Sequence, residues 1–114
     1  MNDEDQDYKT GLIGEYLVKI RLNEYEINTG SVDKDTGTDI VMFQKNRILT
    51  AQVKTGINDW NYAEAHGVHV HFQVKLNRKD KLQLDASEIR WKRIDIPDNG
   101  FKDFNGGSIG EMFK

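Results

Sequence analysis

Asp39, Gln52 and Lys54 are the residues whose types and spacing could do chemistry in this chain. They lie in GTDIVMFQKNRILTAQVKT, residues 37–55, which reads as two strands. The first runs from about Asp39 to Phe43 and the second from about Ile48 to Lys54. The linker Gln44-Lys45-Asn46-Arg47 is polar and short enough for a hairpin. Alternation puts Asp39, Val41 and Phe43 on one face of the first strand, and Ile40 and Met42 on the other. In the second strand, Leu49, Ala51 and Val53 share one face, and Ile48, Thr50, Gln52 and Lys54 the opposite one. An acid opening one strand could then face a glutamine and a lysine at the end of its neighbour. A carboxylate binds a hard cation through oxygen, and an ammonium orients a water or stabilises an oxyanion. The combination suits metal-assisted phosphodiester chemistry.

These strands need a helix to pack against, and residues from Asp7 or Thr10 to about Asn23 supply one. Ile13, Tyr16, Leu17 and Ile20 are its expected main apolar stripe, with Leu12, Val18 and Leu22 on the flank. Glu15 falls between Leu12 and Val18, at the border of the buried face. On its own it would be an ordinary helix-favouring glutamate.

GTD followed one hairpin later by QVK, after a helix carrying a glutamate in LIGEYLVKIRL, resembles the PD-(D/E)xK (restriction endonuclease-like) nuclease superfamily. In that family an acid opens one strand and a (D/E/Q)-x-K triplet ends the next. The resemblance covers roughly the first half of the chain. Thr38 stands at the position of the name-giving proline, and Gln52 where most members carry an acid. The resemblance implies a divalent ion, Mg2+ or Mn2+, held by Glu15 and Asp39 with help from Gln52. It also implies that Lys54 orients or helps to deprotonate the attacking water. The implied activity is hydrolysis of nucleic acid, with DNA as the expected class. Many members act as dimers, so a homodimer is a further expectation, with the apolar residues of the tail as its surface. Two other readings stand beside this one. One is a nuclease-fold protein that binds nucleic acid or regulates without turnover, and the other is a small α+β interaction module.

Of the remaining elements, Tyr25 to Thr29 reads as a strand with Tyr25 and Ile27 inward. Gly30 to Gly37 is a turn region, with Gly37 giving the backbone beside Asp39 room for a ligand. Asn58 or Asp59 could cap a short helix through Ala65, ended by Gly67. Val68 to Leu76 alternates cleanly, with His69, His71, Gln73 and Lys75 on its polar face. His69 and His71 share a face, as a zinc or nickel site requires. Without a close third ligand, solvent-facing histidines are the expectation. Trp60 and Tyr62 read as core or rim residues that could also stack on a base. Asn77 to Asp80 reads as a turn, Leu82 and Leu84 as a strand start, and Ile89 to Ile96 as the last strand, closed by Pro97. The tail from Asp98 carries Phe101, Phe104, Ile109 and Phe113 as possible anchors.

At 114 residues the chain is the size of one domain, and 31% charged residues leave it lean but foldable. It has no cysteine, which excludes disulfides and thiolate metal sites and fits the cytoplasm. No run is long enough to span a membrane. The formal net charge is -3. Basic residues gather late, at Lys75, Arg78, Lys79, Lys81, Arg90, Lys92 and Arg93, where they could track phosphates or simply solvate a hairpin. The expected architecture is α+β, one domain. An N-terminal helix packs on a mixed sheet of about five strands, in the order αβββ, then a short helix and a further strand. Residues 1–7 are expected to be disordered and residues 98–114 to form an irregular tail.

Overall fold

The computed structural model describes residues 3–32, 37–77, 87–97 and 100–114, with side chains from Tyr8 onward. The protein is α+β. Helix α1 (Asp3–Glu24) is followed by strands β1 (Asn28–Ser31), β2 (Ile40–Gln44), β3 (Arg47–Ile57), β4 (Val70–Leu76), β5 (Glu88–Arg93) and β6 (Lys102–Asp103), then helix α2 (Gly106–Met112). Among the described residues the strands form one six-stranded sheet in sequence order. All neighbours are antiparallel except β3 and β4, which run parallel. Within the described residues no helix is long and apolar enough to cross a membrane.

The β2–β3 hairpin follows the expected alternation. Ile40, Met42, Leu49, Ala51 and Val53 are buried on one face, while Phe43 and Ile48 pair across the strands on the other and are exposed. The core continues through Val70, Phe72, Val74 and Leu76 of β4 and Trp91 of β5. Leu17, Val18 and Leu22 of α1 and Ile109 and Met112 of α2 close over it.

Helix α1 begins at Asp3, earlier than expected. Its buried stripe also differs. Tyr16 and Ile20 are exposed, and the helix instead turns Thr10, Leu17, Val18 and Leu22 inward. The cause is Gly14. A Cβ built there would lie 1.8 Å from Thr55 Oγ1 of β3. The helix backbone crosses the sheet at that contact, and its rotation follows. After α1, the N–H groups of Tyr25, Glu26 and Ile27 donate back to Leu22 and Asn23 carbonyls. The first strand therefore starts at Asn28, not Tyr25, although Ile27 is fully buried as expected.

No helix forms after β3. The strand runs on to Ile57, and residues 58–69 cross back to the start of β4 without regular structure. A parallel pair requires such a crossover. Local side chains hold it open. Asp59 Oδ1 accepts from Trp60 N–H, Asn61 Oδ1 accepts from Ala63 N–H, and Asn58 sits at φ 59°. Short polar side chains bonding their own backbone in this way compete with helix formation.

The crossover lies on the polar face of β3–β5, so that face is not solvated. His71 and Gln73 are 3% and 2% exposed, contrary to the expected solvent-facing row. Gln73 Nε2 donates to Asn61 O and its Oε1 accepts from Arg90 Nε. The Arg90 guanidinium lies between the Trp60 and Phe101 rings, 4.0 and 4.6 Å from their centroids.

The expected irregular tail is also ordered into the core. Asn105 caps α2 through a capping box with Ser108, and Trp91 Nε1 donates to Ser108 Oγ. Ile109 and Phe113 are buried, so they do not form the apolar surface expected for a homodimer. Arg93 lies on the core face. It forks onto both Asp95 oxygens, at 2.7 and 2.6 Å, and donates to Met112 O. The expected turn at 77–80 from Arg78 onward, the strand start at Leu82 and Leu84, and the basic residues Arg78, Lys79 and Lys81 lie outside the described residues.

Two stability predictions follow from these contacts. Gly14→Ala should destabilise the protein by about 1–3 kcal/mol in urea unfolding, because overpacking against Thr55 outweighs the helix-propensity gain. Arg93→Ala should cost about 2 kcal/mol in the same measurement, because it strands the Met112 carbonyl and the Asp95 carboxylate.

Candidate active site at the helix–sheet seam

The site is set by an inequality in strand length. Strand β2 begins at Ile40, opposite Ala51, while β3 continues to Ile57. Beyond Ala51, β3 pairs only with β4, so its other flank is open to the N-terminal half of α1. Asp39 sits where β2 ends. Its N–H donates to Ala51 O at 2.9 Å, and its Oδ2 accepts from Val53 N–H at 2.8 Å. The carboxylate thus supplies the acceptor that a longer β2 would have provided to β3. It is thereby fixed against the Gln52-Val53-Lys54 segment. Gly37, two residues earlier, has a φ of 76°, so the glycine serves the turn into the strand.

Glu15 reaches the same place from α1. Glu15 and Asp39 are both half-buried and both line a cavity of ≈ 500 Å³, with Lys19, Ser31 and Thr38. Two residues distant in the chain thus share the lining of one cavity. Lys54, also half-buried, lines an adjoining cavity of ≈ 320 Å³ with Thr10, Thr55 and Asn61. Gly11 lines both cavities. Gln52 is among the lining residues of neither. Its Oε1 accepts from His66 N–H of the crossover at 3.3 Å. A carbonyl oxygen has two lone pairs, so a ligand role for Gln52 requires it to share that bond.

Among the described residues, no three His, Cys, Asp or Glu side chains gather into a cluster that could hold a metal ion. The anionic donors at the seam are two, Glu15 and Asp39. Oxygen donors of this kind fit magnesium or manganese. Magnesium keeps several waters and commonly takes only one or two carboxylates.

Of the basic residues expected to track phosphates, the four that are described are engaged within the fold. Lys75 pairs with Glu88 at 2.6 Å and lies over the Trp60 ring, and Lys92 lies 4.8 Å from the Phe101 centroid. Arg90 is sandwiched as described. Arg93 is buried with Asp95 and does not face solvent, because alternation from Trp91 carries it to the core side. Its hydrogen bonds hold the Asp95 carboxyl below the usual carboxylate range. The histidines do not form a metal pair. His66 is exposed, and His69 Nδ1 accepts from Thr50 N–H.

What sequence reasoning missed is the burial of His71. Burial pushes its pKa down to about 4, and Lys92, Lys54 and Arg90 add to the shift in that order. Among the described residues its Nε2 has no hydrogen-bond partner, and the Phe101 ring packs against it in a T-shape at 5.3 Å. In the unfolded chain the same imidazole takes a proton near pH 6.5. Between the two values the unfolded state binds more protons, so acid favours unfolding. The melting temperature should fall as pH drops from about 6.5 towards 4, and fall less in His71→Gln. Equal slopes in calorimetric melts of the two proteins would contradict this.

No protein-family model, curated protein or solved structure matches the chain.

Proposed function

We propose that this chain is a metal-dependent nuclease that hydrolyses phosphodiester bonds of nucleic acid, with DNA as the expected class. One observation carries the reading. Glu15 and Asp39 line a single cavity at the open flank of β3, and Lys54 lines the next. The order of these residues on their elements agrees with the resemblance to the PD-(D/E)xK superfamily in GTD, QVK and the helical glutamate. A cysteine-free chain suits a reducing compartment, and the cytoplasm is the location this reading expects.

The roles follow from chemistry. Glu15 and Asp39 would hold Mg2+ or Mn2+ through oxygen. When bound, the cation supplies Lewis acidity and a more acidic water. The Val53 N–H locks the Asp39 carboxylate, so it need not reorganise on binding. Lys54 would orient the attacking water, help to remove its proton and screen charge building on phosphorus. Gln52 contributes a neutral oxygen at most, so the site carries two anionic ligands where most relatives by resemblance carry three.

That deficit favours a second reading, a nuclease-fold protein that binds nucleic acid without turnover. The two part in one experiment. Wild type, Asp39→Ala, Lys54→Ala and Gln52→Glu are assayed for plasmid nicking and titrated with magnesium by calorimetry. Asp39→Ala and Lys54→Ala should lower nicking at least about 100-fold. Gln52→Glu should keep or tighten magnesium binding. Nicking by Asp39→Ala at the wild-type rate would end the proposal, and binding of DNA with no nicking by wild type would favour the second reading.

A further inference from the structure

Gly11 stands inside helix α1, where a glycine lowers helix stability relative to alanine. Gly14, one turn on, has a packing reason in Thr55. Gly11 has none. Among the described residues, a methyl built on it would meet no heavy atom within 4 Å outside its chain neighbours and the helix's own backbone. The open space above it is where the Glu15–Asp39 cavity and the Lys54 cavity meet.

The two cavities differ in chemistry. The first holds two carboxylates, so a phosphate enters it only together with a cation. The second is lined by the Lys54 ammonium, a donor that suits phosphate oxygens directly. Thr10 and Thr55 line it too, but their hydroxyl oxygens are sealed from solvent and have no hydrogen-bond partner among the described residues, so they do not face the open space.

We propose that a single nucleic-acid strand crosses α1 over Gly11, with one phosphate in the Glu15–Asp39 cavity and a neighbouring phosphate at Lys54. Gly11 is then a positioning residue that keeps the passage open, which rests on the nuclease reading above. Its side chain is hydrogen because anything larger stands in the strand's path.

The test compares wild type with Gly11→Ala, Gly11→Leu and Gly11→Gln. The last fills the same space with a polar side chain. Binding of a fluorescein-labelled single-stranded oligonucleotide is measured by anisotropy in calcium chloride, so that a cation is present for the Glu15–Asp39 cavity. Magnesium affinity, melting temperature and plasmid nicking are measured beside it. Gly11→Ala should raise the melting temperature by about 3 °C. Gly11→Leu and Gly11→Gln should bind magnesium like wild type yet lose about tenfold or more in oligonucleotide affinity, and nicking with it. If wild type nicks and the two large variants bind and nick equally well, the strand path is wrong and the nuclease reading stands. A lower melting temperature in Gly11→Ala would likewise overturn it, by showing Gly11 to be packed. If wild type neither binds nor nicks nucleic acid, the nuclease reading falls and the path falls with it.

Discussion

A single hydrogen bond organises the seam. Asp39 Oδ2 accepts from Val53 N–H at the point where β2 stops and β3 goes on. Without an acceptor there, β3 would carry an unsatisfied donor on its open flank beside the helix. A carboxylate serves better than a carbonyl because the bond is charge-assisted. The same bond holds an anion at the mouth of a cavity that Glu15 also lines. Sheet termination and site assembly are thus one event, and the short length of β2 is what makes room for both.

The other side of the sheet shows how a lean chain covers itself. With residues 58–69 unwound, the crossover can lie flat on the polar face of β3–β5 and cover His71 and Gln73. Each group it buries is answered locally. Gln73 is bonded at both ends, and Arg90 is held by Gln73 and two aromatic rings. His71 is the exception and stays neutral, which suits a site already crowded by Lys92, Lys54 and Arg90.

Much of this was legible in the chain. Alternation in residues 39–43 and 48–54 named the faces of β2 and β3 correctly, because a half-buried strand must repeat every second residue. Glu15, Asp39 and Lys54 could be picked out by type and spacing; in the fold Glu15 and Asp39 line one cavity and Lys54 lines the next. What could not be read depended on contacts between distant segments. The rotation of α1 is decided by Gly14 meeting Thr55, and a list of apolar residues pointed instead to Tyr16 and Ile20. Polar alternation in β4 looked like a wet face because nothing local says that residues 58–66 return over it. Two signals were present and unused. Alternation from Trp91 assigns Arg93 to the core, and Asn105 with Ser108 three residues later marks a helix start in the tail.

The most direct measurement is a crystal of the protein soaked in manganese and recorded at a wavelength where manganese scatters anomalously. The account requires an anomalous peak within coordinating distance of both the Asp39 and Glu15 carboxylates. A peak elsewhere, such as at the exposed His66–Glu64 pair, or no peak at the seam of a soaked crystal, would contradict it.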